Sequence, residues 1–137
     1  TFYRINPDPK TYAIFSYLDY SRFNNLQSAR KRAITTYIEK LRHKPLICIL
    51  FGSTAKESYT KKSDIDILTI YDEKTTKNPK LISEIEAITG HEIQELIMTY
   101  QEFTEQMLRQ NDKVIMHAIN TGYPITGAYY FYDTYLR

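Results

Sequence analysis

Residues 46–51 read LICILF and residues 64–71 read DIDILTIY, two short apolar runs separated by a polar stretch. Pro45 and Gly52 bound the first, and the charged loop DEKTTKNPK closes the second. Runs of this length and composition are strands buried on both faces rather than helices. The chain nevertheless sets Asp64 and Asp66 into the second run, one residue apart. Residues at i and i+2 of a strand point to the same side, so the two carboxylates stand together while Ile65 and Ile67 face the core behind them. Burying an unpaired carboxylate is costly, and like charges at close range disfavour each other's ionised form, so the arrangement calls for a cation. A hard divalent ion such as Mg²⁺ fits, because it takes carboxylate and phosphate oxygens together in near-octahedral geometry.

The end of the first run supplies the complementary half. Gly52 lets the backbone turn sharply and approach a ligand, and Ser53 follows where a short helix can begin, offering a hydroxyl and backbone amides to an anion. A nucleoside triphosphate answers to both halves. Lys56, Lys61 and Lys62 lie between the glycine turn and the aspartates, within reach of phosphate, and Lys56 is the residue favoured for that contact. Ser63 precedes Asp64 and can hydrogen-bond the loop, and Thr54 can cap the short helix. His43, His91 and His117 are scattered without metal-ligand spacing, which argues against zinc.

Around this centre the chain alternates. A strand stub is expected at residues 1–5, then helices at about 10–23 (Ile14, Tyr17, Leu18, with Phe15 beside them) and about 27–42 (Ala33, Ile34, Tyr37, Ile38, Leu41). The runs RKR at 30–32 and KLRHK at 40–44 read as a basic, solvated helical face. Further along come a helix from Pro79 to Thr89 stopped by Gly90, a strand EIQELIMT, a helix capped by Thr99 with Glu102, and a helix holding Val114, Ile115, Ala118 and Ile119. Gly122-Tyr-Pro124 reads as a turn, and the tyrosine-rich end ITGAYYFYDTYLR as helix or strand that either packs over the upstream helices or meets another subunit. Strand, helix and strand in alternation predict an α/β sheet layered with helices. With 137 residues, 42% of them hydrophobic, the chain can build one real core.

Gly52-Ser53, ten residues, then Asp64-Ile65-Asp66 resembles the G-S-x10-D-x-D signature of the DNA polymerase β-like nucleotidyltransferase superfamily, in particular its minimal nucleotidyltransferases. The resemblance covers about residues 45–127. It implies a small mixed, twisted β-sheet with flanking helices, with a nucleotidyltransferase domain at 45–137 preceded by an N-terminal segment at 1–44. It implies Asp64 and Asp66 as ligands of two Mg²⁺ ions, and Gly52 and Ser53, with Lys56 and Ser63, around the phosphates of an NTP, ATP as first choice. It further implies a third carboxylate on the later strand that completes the metal site and activates the acceptor. Glu92 and Glu95 are the choices there, and because they differ by three positions they face opposite sides of the sheet. Glu92, with Gln94 on its face, is favoured over Glu95, which shares its face with Ile93 and Ile97.

The implied reaction is transfer of a nucleoside monophosphate, with pyrophosphate leaving. The implied acceptor is a protein hydroxyl, as where such domains adenylylate the toxin of a toxin-antitoxin pair, or an RNA end. The competing class is a non-catalytic nucleotide-binding or dimerising regulator, and a homodimer is one expected assembly. TFYRINPDP resembles the last strand and exit linker of a winged-helix wing, which implies DNA binding by a domain upstream of this chain. Lys+Arg 18 against Asp+Glu 16 is too balanced for a dedicated nucleic-acid binder. The single Cys48, set in an apolar run, reads as core packing in a reducing compartment, and with no membrane-length apolar stretch the expected location is cytoplasmic.

Overall fold

Several helix starts in this chain are written by short polar side chains and proline. The computed structural model describes residues 5–137. Its first helix, α1 (Pro9–Asn24), begins where the Asp8 carboxylate accepts the amides of Lys10 and Thr11 at 2.9 and 3.1 Å, with Pro9 in the first turn. The strand stub expected at 1–5, and with it the winged-helix resemblance, falls largely on residues outside the described ones. The rest of the order is α2 (Ser28–Lys40), β1 (Ile47–Phe51), α3 (Gly52–Ala55), β2 (Ile65–Tyr71), α4 (Pro79–Thr89), β3 (Ile93–Thr99), α5 (Tyr100–Arg109), α6 (Lys113–Thr121), β4 (Tyr123–Thr126) and α7 (Ala128–Tyr135). Gly90 ends α4 in the left-handed conformation, and Thr99 and Glu102 form the expected capping box on α5.

The strands form one mixed sheet in the order β3-β2-β1-β4. β1 is antiparallel to β2 and β4, and the β2-α4-β3 crossover makes β2 and β3 parallel. This is the α/β sheet with flanking helices that the sequence predicts. Every residue of β1 is buried because helices cover both faces. On one face Ala33, Ile34 and Tyr37 of α2 meet Cys48, Leu50, Ile65 and Ile67, so α2, upstream of residue 45, shares a core with the strands that carry the motif. On the other face Ile49, Leu68, Ile70 and Met98 pack against Phe103, Ile119 and Phe131. Cys48 is fully buried, and burial pushes its thiol up to about 12, as a packing residue requires.

Three local expectations change. In α1, Ile14, Tyr17 and Leu18 are exposed, while Tyr12 and Asp19 are buried. Apolar residues surround this helix on nearly all sides, so periodicity could not choose a face. The choice is made by α7: Phe15 packs 5.1 Å from the Tyr132 ring and Asp19 accepts the Tyr132 hydroxyl at 2.5 Å. Gly122-Tyr-Pro124 is not a turn, because residues 123–126 form the edge strand β4, where a proline costs no ladder bond on its open side. The RKR run is not wholly solvated, since Arg30 is fully buried. The aromatic tail is helix α7 and packs inward, with Phe131 and Tyr132 buried. No helix among the described residues is long and apolar enough to cross a membrane.

Glu95 shows how the α2 face tolerates a carboxylate. It accepts the Tyr37 hydroxyl at 2.7 Å, the Asn78 amide at 2.8 Å and the Asn78 side-chain nitrogen at 2.9 Å. Burial first, and the Glu95 bond second, hold the Tyr37 hydroxyl above the usual tyrosine range. Tyr37→Phe removes one of the donors to a buried charge, so urea denaturation is expected to show a loss of about 1–3 kcal/mol with the fold retained.

Candidate active site

β1 delivers the chain to Gly52, which turns it at φ +69 into the single turn of α3. That conformation disfavours any residue with a Cβ, and a Cβ here would also collide with the Asp66 carboxylate. Glycine is therefore demanded twice, by the turn and by the acid lying against it. The pairing of Phe51 with Asp66 explains the contact, since it places the second aspartate beside the end of β1.

Asp64 and Asp66 flank Ile65, which is fully buried on the opposite face with Ile67, so the carboxylates share a side as the spacing predicts. Asp64 is exposed and Asp66 half-buried. Burial first, and the Asp64 charge second, hold the Asp66 carboxyl above the usual carboxylate range. The ion pair found among the described residues is Arg137 with Asp133, which leaves both aspartates without a cationic partner there. Two acceptor-only groups with no ion pair, beside a turn whose first amides have no partner within the helix, suit a hard cation that shares its shell with phosphate oxygens.

β3 lies parallel to β2 with Asp66 opposite Gln94, and the Gln94 side-chain nitrogen approaches Asp64 Oδ2 at 3.4 Å. Two residues before Gln94, Glu92 shares this face, is exposed, and accepts the Ile65 amide on its carbonyl at 2.9 Å. Glu95 lies on the other face in the network with Tyr37 and Asn78. Among the described residues no three His, Cys, Asp or Glu side chains are grouped to hold a metal. The structure thus brings Asp64 and Asp66 together, puts Glu92 on their face outside the cluster, and gives the position beside Asp66 to an amide.

Around the turn, Ser53 is half-buried and its carbonyl accepts the Ser58 amide at 3.0 Å. Lys56 follows α3 with its Nζ 3.2 Å from His117 Nε2. The Ser63 hydroxyl accepts the Thr60 amide at 2.9 Å and so closes the loop, while Lys61 and Lys62 are exposed. Thr54 does not cap α3. Its hydroxyl is buried and accepts Arg30 Nη1 at 2.9 Å, with the Asp64 carbonyl 3.5 Å away.

Arg30 is the residue sequence reasoning missed. Its Nη2 also donates to the carbonyls of Thr60 and Ser63, both at 2.8 Å, and the guanidinium lies 4.2 Å over the Tyr59 ring. The signal was there: Arg30, Ala33, Ile34 and Tyr37 follow i, i+3, i+4, i+7, which puts the arginine on the buried stripe of α2.

A family model described as Polymerase beta, Nucleotidyltransferase matches residues 32–122. That span holds the glycine turn, both aspartates and β3, and it starts after Arg30. No curated protein and no solved structure matches the chain.

Because Asp66 binds its proton more tightly in the folded chain than in the unfolded one, ionising it costs the native state at neutral pH, and the cost vanishes below the unfolded-state range. Metal-free Asp66→Asn is expected to have a higher urea midpoint than wild type at pH 7. The difference should close as the pH falls below about 4, the ordinary aspartate range. Gly52→Ala should cost about 1–2 kcal/mol for the left-handed conformation alone and displace the Asp66 carboxylate. It is expected to lower the urea midpoint and to weaken Mn²⁺ binding in a titration followed by electron paramagnetic resonance.

Proposed function

The chain belongs to the polymerase beta nucleotidyltransferase family, and from that premise we propose that it transfers a nucleoside monophosphate, AMP as first choice, from an NTP to a protein or RNA hydroxyl. Its sheet and helices are those of a nucleotidyltransferase-type domain. What carries the finer assignment is the pair of carboxylates, Asp64 and Asp66, which form no ion pair among the described residues, with Asp66 lying against the Gly52 turn.

In this reading Asp64 and Asp66 hold Mg²⁺, and Glu92, on the same face, is the side chain available to complete a two-ion site. The turn at Gly52 and Ser53 receives the β- and γ-phosphates through its amides, with Lys56 adding positive charge and Ser63 keeping the loop closed behind them. When bound, Mg²⁺ neutralises charge on the phosphates and draws the reacting groups into line. A protein acceptor such as the toxin of a toxin-antitoxin pair is the first choice and an RNA end the second.

One observation favours a second reading. Gln94, not a carboxylate, stands beside Asp66, and an amide neither takes a proton from an acceptor hydroxyl nor adds negative charge for a second ion. A domain that binds Mg²⁺-nucleotide as a regulator without turnover fits that substitution.

The two readings separate on α-labelled ATP incubated with Mg²⁺, the full chain and candidate acceptors. Transfer of label to a protein or RNA supports the enzyme, and tight binding without transfer supports the regulator. Asp64→Asn with Asp66→Asn is expected to abolish Mg²⁺-dependent ATP binding in isothermal titration while leaving the fold as stable as wild type or more so. Unchanged binding by that double variant would end both readings.

A further inference from the structure

Arg30 is a fully buried cation whose observed acceptors are neutral: the Thr54 hydroxyl and the carbonyls of Thr60 and Ser63. Asp64 is near enough for its charge to act on the guanidinium, but no ion pair forms, so the desolvated charge is expensive and a methionine or leucine would fill an interior helix position more cheaply. Its contacts are not spread through the core. All three fall on the segment from α3 to the start of β2, and the chain from Gly52 to Asp66 contains every main-motif residue of the proposed site. Through Thr54 the guanidinium reaches the turn, and through Ser63 and the Thr54–Asp64 contact it reaches the backbone that carries the first aspartate. Arg22 of α1 adds a second hold, donating to the Ala55 carbonyl at 3.1 Å where α3 ends.

We propose that Arg30 is a positioning residue for the metal-nucleotide site: from the α2 side of the sheet it locks the Gly52–Ser53 turn and the Asp64 backbone in the mutual placement that a divalent cation and a triphosphate require. The inference rests on the nucleotidyltransferase reading. A planar fork with several donors suits the task, because Thr54, Thr60 and Ser63 can be held at once by one rigid group, which a lysine cannot do. Both arginines lie on the N-terminal helices, ahead of the family-matched span 32–122.

The test uses the full chain, Mn²⁺ with ATP as the probe, and electron paramagnetic resonance for affinity, with urea midpoints measured in parallel. Arg30→Met is expected to bind Mn²⁺-ATP about 10–100-fold more weakly, the usual effect of removing a support behind metal ligands, and Arg30→Lys to recover only part of the loss. Thr54→Val, which keeps shape and removes the shared hydroxyl, should weaken binding in the same direction and decides the matter if Arg30→Met fails to fold. Tyr37→Phe, destabilised on the same helix but outside the clamp, should keep wild-type affinity. Wild-type affinity in folded Arg30→Met or in Thr54→Val overturns the proposal, as does a loss in Tyr37→Phe as large as theirs, since affinity would then merely follow stability. If wild type itself binds no Mn²⁺-ATP, the nucleotidyltransferase reading falls and this inference with it. If wild type binds, the aspartate double variant does not, and the Arg30 and Thr54 variants match wild type, the inference falls alone.

Discussion

The antiparallel pairing of β1 with β2, with Phe51 opposite Asp66, is the contact on which the rest of the site depends. It brings a glycine bend and a carboxylate so close that no side chain fits between them. The bend alone is an ordinary strand end, and the aspartates alone are two charges that repel. Joined by this register they become one feature with acceptor oxygens on one side and backbone amides on the other. Ile65 and Ile67, on the reverse of the same strand, anchor this feature in a core shared with α2.

That core contains two buried charges of opposite sign that do not meet. Arg30 is met by a hydroxyl, carbonyls and the face of Tyr59, and Glu95 by Tyr37 and the Asn78 nitrogens. Each replaces lost hydration with several directed hydrogen bonds rather than with a salt bridge, which spares the geometry a buried ion pair would impose. The difference lies in what each network ties down. Glu95 links α2 to the start of α4 on one face of the sheet, a purely architectural span, whereas Arg30 ends on the loop between the two halves of the motif.

Much of the chain was legible beforehand because its signals are local. Thr99 with Glu102, Pro79 and Gly90 act on amides and carbonyls within a turn of themselves, and the helices they bound lie where they point. Elsewhere the local signal is ambiguous and the fold decides. Pro124 punctuates a turn and an edge strand equally well, and only the open side of β4 tells them apart. Around α1, tyrosines and aliphatic residues offer several faces, and the aromatic rings of α7 select one.

The site divides along the same line. Gly52, Ser53, Asp64 and Asp66 could be named from the sequence because residues one apart on a strand must share a face, and glycine at a strand end permits a turn other residues resist. That Glu95 meets Tyr37 and Asn78, that Gln94 rather than an acid stands against Asp66, and that Arg30 grips the loop from behind were decided only when β3 and α2 took their places. Such facts depend on the register between segments distant in the chain, and register is set by which apolar surfaces can bury one another, not by any residue's own preference.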